Sequence, residues 1–184
     1  KKIFSNYIWD IPNNENKVYL TFDDGPTPEI TNWTLNELQK YEAKATFFCI
    51  GDNLRKYPEI YKEVIQKGHA IGNHTFNHLN GWKTDDGIYL SNIKEAQQYI
   101  NSTLFRPPYG RIKKSQLTKL SSFHPPLSTI MWTILAGDWE QSLSPEKCFN
   151  QLKNKIYPGA IVVFHDSEKA VERMLELITN CSRA

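Results

Sequence analysis

The sequence predicts an α/β protein in which helices pack outside a mostly parallel sheet. Three observations carry this expectation. Six short runs rich in β-branched and aromatic residues alternate with longer amphipathic runs, and a β-α-β-α order calls for parallel strands joined by helical crossovers. Runs such as AIVVFH (160–165) are apolar without interruption, as strands covered on both faces are. The 184 residues, 40% of them hydrophobic and 23% charged, suit one ordinary globular domain over residues 1–184, with no linker or low-complexity stretch to divide it. This pattern leaves open a doubly wound sheet or a closed or partly closed barrel. Both put function at the C-terminal ends of the strands.

The elements follow in chain order. KVYLTF (17–22) is the first strand, and a helix over 28–43 follows, with Thr27 as N-cap and Pro28 in the first turn. ATFFCI (45–50) is the second strand. The helix over 57–68 sets Ile60, Val64 and Ile65 on one side and stops at Gly68. HAIGNH (69–74) is the third strand and leads, past Thr84, to a helix over 85–100. TLFRP (103–107) is the fourth strand, with a weaker helix over 112–123; STIMWTIL (128–135) is the fifth. Ser144 caps a helix over 144–156, with Pro145 and Glu146 in its first turn. AIVVFH is the sixth strand, and a helix over 167–178 closes the series.

Composition excludes several classes. The formal net charge of +2, with lysines scattered rather than blocked, gives no nucleic-acid footprint. No run is apolar and long enough to cross a bilayer. Cys49, Cys148 and Cys181 are few, odd in number and without CxxC spacing, so neither a disulfide framework nor a zinc ribbon is expected. No signal peptide is visible, and an extracytoplasmic or cell-envelope location is expected if a leader or anchor has been removed.

The unusual residues gather at one end of the strands. Asp23 and Asp24 follow the first, His74 and His78 the third, Arg106 and the PPYG turn the fourth, Asp138 and Trp139 the fifth; His165 and Asp166 end the sixth. Each has a plain alternative. Asp-Gly-Pro is good turn chemistry, the histidines can be surface groups, Arg106 and Asp138 can be caps, and His165 can be a core histidine. Together they describe a site. His-x-x-x-His is a metal-ligand spacing, about one helical turn apart. Two imidazoles and a carboxylate make a three-ligand catalytic site with room for water or substrate. Arg106 is a fixed cation for a carboxylate, and Asp138 can orient an imidazole.

With these residues in hand, the chain resembles the polysaccharide deacetylases of carbohydrate esterase family 4, the NodB-homology domain. The resemblance runs through TFDDGP (21–26), HTFNH (74–78), RPPYG (106–110), GDW (137–139) and VVFHD (162–166), in the family's order. It implies a distorted, partly open (β/α) barrel and metal-dependent removal of N-acetyl groups from a peptidoglycan- or chitin-type glycan, releasing acetate. It implies Asp24, His74 and His78 as ligands of one divalent ion, zinc first, with cobalt or nickel as alternatives. Asp23 then looks like the general base, Arg106 its partner, His165 the general acid and Asp138 its orienter. Tyr109 would give an oxyanion N–H, and Trp139 and Val163 would receive the acetyl methyl. The sequence departs from the family at Thr133 and Leu135, where many members have an acid shortly before the Asp-Trp pair. Rival readings are an O-acetyl esterase on acetylated xylan, a catalytically silent carbohydrate-binding relative and a phosphoacceptor domain. The His pair and RPPYG have no place in the last. The expected partner is an acetylated glycan, with no nucleic acid and no membrane span.

Overall fold

The computed structural model describes residues 7–181. Within these residues eight strands form one sheet: β1 (Tyr7–Ile8), β2 (Tyr19–Asp23), β3 (Ala45–Cys49), β4 (Ala70–Asn73), β5 (Leu104–Phe105), β6 (Ser128–Ile130), β7 (Ile134–Leu135) and β8 (Ile161–His165). Their order is β1-β6-β5-β4-β3-β2-β8-β7, and every pairing is parallel. The sheet curls into an open half-barrel. Among the described residues seven α-helices accompany it: α1 (Ile30–Lys40), α2 (Gly51–Lys56), α3 (Pro58–Gln66), α4 (Asp86–Ala96), α5 (Lys114–Lys119), α6 (Pro145–Lys153) and α7 (Val171–Cys181).

Alternation along the strands divides the apolar residues between two layers. Phe22, Phe47 and Phe164 face the helices and stack on one another, with ring centroids 5.0 and 5.4 Å apart. They are buried in one cluster with Leu35 and Leu38 of α1 and Met174 and Leu177 of α7. The neighbouring Phe48 points the other way, into the barrel, where it clusters with Ile130 and Ile161.

The predicted fifth strand is in fact two. β6 pairs with β5, and only Met131–Thr133 separate it from β7, which pairs with β8. The stretch changes partner midway, so one chain segment draws the two margins of the curled sheet together. The gap is also crossed beside this segment, at the start of β8. After β1, Asp10 bridges Ala160 and the Ile11 N–H donates to Gly159 O (2.9 Å). This two-residue strand and the six-residue α2 carry no periodicity long enough to read. Thr27 does not cap α1. The N-cap position belongs to Glu29, at φ 66°, while the Thr27 hydroxyl donates to Asp166 O (2.7 Å). Ser144 does cap α6, its Oγ accepting from Lys147 N (3.3 Å). Asp85 caps α4, its side chain accepting from Gly87 N and Ile88 N. Cys49 and Cys148 are free and buried; the side chain of Cys181 lies outside the described residues.

Candidate active site

Parallel pairing puts the C-terminal ends of the strands at one rim. The β2–β8 register sets Asp23 level with His165. β4 ends at Asn73, immediately before His74, and the Arg106 N–H donates to Asn73 O (2.9 Å), which fixes β5 beside it. A cavity of about 450 Å³ opens at this rim; Asp23, Asp24, His74, His78, Tyr109, Trp139, Val163 and His165 all line it. Trp132, Leu135 and Arg111 line it as well. The sequence alone points to none of these three as cavity residues, because their place depends on the partner switch between β6 and β7 and on the path after Gly110.

Asp24, His74 and His78 each offer one ligand atom, all within 4.8 Å of one another. The Asp24 Oδ1 lies 3.6 Å from His74 Nε2 and 3.1 Å from His78 Nε2, and it is buried without a satisfying hydrogen bond. An orphaned anionic oxygen facing two imidazole nitrogens is what a cation would satisfy, so these residues fit a divalent metal. The His74 Nδ1 lies 2.8 Å from Arg106 O. That contact assigns the proton to Nδ1 and leaves the Nε2 lone pair to the metal. Burial is the largest influence on His74 and brings it down to about 4, so the ring is neutral at pH 7. Burial pushes Asp24 up, but His78, His74 and His165 outweigh it and hold the carboxyl at about 2.

The two histidines sit on a loop, although their spacing is that of one helical turn. Thr75 (φ 64°) and His78 (φ 56°) adopt left-handed backbone. So do Asp24 (φ 80°) and Tyr109 (φ 60°). Such conformations cost about 1–3 kcal/mol each and persist where surrounding contacts impose them. The contacts are visible. Asn92 of α4 accepts from Phe76 N and Asn77 N (2.9 and 3.0 Å), and Asn73 accepts from Thr75 N (2.8 Å). Asn53 of α2 donates to Asp24 O (2.9 Å). Asn53 and Asn92 escape sequence reasoning, because their partners are set by the tertiary fold.

Asp23 Oδ1 accepts from Arg106 Nη1 at 2.7 Å. Arg106 is 0% exposed and fully engaged: Nη1 also donates to Thr21 Oγ1 (2.7 Å), Nε to Ile130 O (3.2 Å) and Nη2 to Met131 O (2.9 Å). Its guanidinium carbon lies 4.1 Å from the centre of the Phe48 ring. One arginine therefore ties Asp23 to the segment that joins β6 to β7. Opposite, Asp138 is fully buried and grips His165 twice, through the backbone N–H (2.6 Å) and through Nδ1 (2.9 Å). Arg173 of α7 holds the Asp138 carbonyl in turn (2.7 Å). Burial works against a charged His165, but the Asp138 hydrogen bond and the charges of Asp138, Asp23 and Asp24 prevail and raise it to about 9.

Asp166 braces the acid-bearing loop from behind. Its N–H donates to Asp23 O (2.8 Å), and its Oδ2 accepts from Thr31 Oγ1 (2.6 Å). A Cβ on Gly25 would meet that oxygen at 2.4 Å, so only glycine fits there. Burial pushes the Asp166 carboxyl up to about 7, the Asp24 charge adding to it and the Thr31 bond opposing it. A carboxyl raised on folding binds more protons in the native state, so its contribution to stability falls as pH rises from about 4 to about 7. Asp166→Asn, which stays neutral, is expected to flatten that fall, and urea melts of both proteins across this range check it. Gly25→Ala is expected to weaken both fold and metal binding.

The curled parallel sheet and the metal-competent rim define an α/β half-barrel with a candidate metal site at the C-terminal ends of its strands. The family model for polysaccharide deacetylases matches residues 10–124, and the chain belongs to that family. It is 33% identical over 167 residues to a peptidoglycan-N-acetylglucosamine deacetylase of Bacillus cereus, an alignment covering 88% of this chain and 60% of that protein. It is likewise 33% identical over 163 residues to a chitooligosaccharide deacetylase of Azorhizobium caulinodans, covering 85% of this chain and 76% of that one. The crystal structure of a peptidoglycan N-acetylglucosamine deacetylase in complex with an N-oxidanyl-benzamide superposes at a TM-score of 0.84 and 30% identity, over 97% of this chain and 87% of that one. The chain thus spans less than two thirds of the length of the first of these relatives.

Proposed function

We propose that the chain hydrolyses N-acetyl groups on an amino-sugar glycan of the peptidoglycan or chitin type. The observation that carries this reading is the convergence on one cavity of a metal-competent triad, a carboxylate held by a buried arginine and an imidazole held by a buried aspartate. Asp24, His74 and His78 would hold one divalent ion, and two imidazoles with one carboxylate suit zinc, cobalt or nickel. The ion supplies a Lewis acid for the acetamide oxygen and for water.

The chain's own residues do the rest. Arg106 occupies Oδ1 of Asp23, which leaves Oδ2 to take the proton from water as it attacks the acetyl carbon. The Tyr109 N–H has no acceptor among the described residues and is placed to donate to the developing oxyanion. A well-aimed donor of that kind contributes about 3–4 kcal/mol. His165, protonated below about 9, gives its proton to the leaving amine, while Asp138 fixes its tautomer. Val163 and Trp139 bound the space for the methyl group. Amine and acetate leave with all protons accounted for.

Acetate release from N-acetylglucosamine oligomers, with acetylated xylan alongside, tests the activity. Stripping the metal with a chelator is expected to abolish release, and zinc to restore it. Metal analysis is expected to find one divalent ion per chain, lost in Asp24→Ala. The pH dependence tests the acid. Since His165 must be protonated, the rate is expected to fall as pH rises through its pKa, which a bound cation lowers from about 9. Asp138→Asn removes a charge that raises this pKa, so the alkaline limb is expected to move to lower pH. An unmoved limb in the variant, with metal content equal, would remove His165 from the role of acid.

A further inference from the structure

Arg111, which lines the cavity, pairs with the indole of Trp82 just outside that lining, and the reaction uses neither. Trp82 lies on a short 3-10 turn and is 60% exposed, yet its indole is fixed, because Nε1 donates to Ile112 O (3.2 Å). The Arg111 guanidinium lies over the ring, 5.2 Å from its centre. Arg111 is the one arginine or lysine among the residues lining the cavity, and it makes no ion pair among the described residues. The nearby Lys113, by contrast, is engaged: its Nζ donates to Thr84 O (2.7 Å) and faces Asp86 (3.7 Å).

A fixed, exposed indole is a stacking surface for the apolar face of a pyranose ring. An unpaired guanidinium held against that indole is a bidentate donor site for a carboxylate. Arg111 lines the same cavity as Tyr109, two residues before it, whose N–H is assigned to the oxyanion, so the cation borders the site on the side of that turn. Arg111 O and Gln116 Oε1 would lie 2.5 and 2.8 Å from a Cβ on Gly81, so the Trp82 turn is locked against the Arg111 segment.

We propose that Trp82 and Arg111 form a subsite for a carboxylate-bearing sugar adjoining the acetamido sugar, so that the chain prefers a glycan with an acidic ether substituent, as in muramic acid, to a neutral one. This inference rests on the deacetylase reading. Trp82 takes the ring face and Arg111 the carboxylate.

The test uses one tetrasaccharide of alternating N-acetylglucosamine and N-acetylmuramic acid, with its lactyl carboxylates either free or converted to methyl amides. Binding is measured by calorimetry on the zinc-loaded Asp23→Asn protein, so it does not depend on turnover. The free acid is expected to bind about fivefold more tightly than the amide, as befits a partly exposed ion pair. Arg111→Gln on the same background is expected to erase that ratio, Arg111→Lys to restore part of it, and added salt to shrink it. Trp82→Ala is expected to weaken both forms alike. Equal affinity for the two forms, or a ratio that survives Arg111→Gln, overturns the subsite. Acetate release from wild type is measured in parallel. No release from either form, with the binding ratio intact, would reject the deacetylase reading while retaining the carboxylate site.

Discussion

Asp23→Asn is expected to keep its metal and lose about 10²–10⁴-fold in turnover, the range that a positioned general base supplies. The substitution preserves shape. Arg106 keeps Thr21 Oγ1, Ile130 O, Met131 O and the Phe48 ring, so the guanidinium stays in place. The triad is untouched, because Asp24 supplies its own carboxylate from the next residue, at φ 80°. Only the proton acceptor is removed, since an amide does not take a proton from water at neutral pH. Metal content by mass spectrometry and initial rates of acetate release separate the two roles. Turnover within tenfold of wild type, with metal retained, would remove Asp23 from the base role.

Arg106→Met is expected to destabilise the fold by about 3–5 kcal/mol, the cost of stripping one partner from a buried ion pair. Asp23 would be left buried at 4% exposure without its cation. The carbonyls of Ile130 and Met131 would lose their donors too, and these belong to the segment that joins the two margins of the sheet. The double variant Arg106→Met, Asp23→Asn is expected to recover part of the loss, because no charge is then stranded. Urea denaturation of the four proteins gives the coupling directly. Additive losses would mean that the pair contributes to stability through shape alone.

Much of this architecture is legible in the residues themselves. The alternation of short apolar runs with amphipathic ones implies the parallel sheet. The gathering of acids, histidines and an arginine after successive strands implies the rim, because parallel strands necessarily deliver their ends to one side. The illegible parts share a cause. β1 has two residues and α2 six, too few for a period to emerge. STIMWTIL reads as one apolar strand, since nothing local marks the change of partner at Met131–Thr133. Thr27 before Pro28 reads as a cap, but the structure gives its hydroxyl to Asp166. Asn53 reaches Asp24 across 29 residues and Asn92 reaches Phe76 across 16, beyond any local pattern. The loop carrying His74 and His78 uses helical spacing without a helix.

The change of partner between β6 and β7 has an outcome for how this scaffold can diversify. Trp132 and Leu135 come from that stretch and form part of the wall beside Val163 and Trp139. The metal triad, Asp23 and His165 come from other strands. One part of the cavity wall is therefore written on a stretch of chain that carries none of the reacting groups, while Val163 and Trp139 adjoin His165 and Asp138. Leu135, 37% exposed and free of side-chain hydrogen bonding, can shrink without disturbing a ligand. Leu135→Ala is a rational first step toward hydrolysing propionyl or butyryl amides, and a lineage could travel the same route by changes confined to the stretch from Ser128 to Leu135.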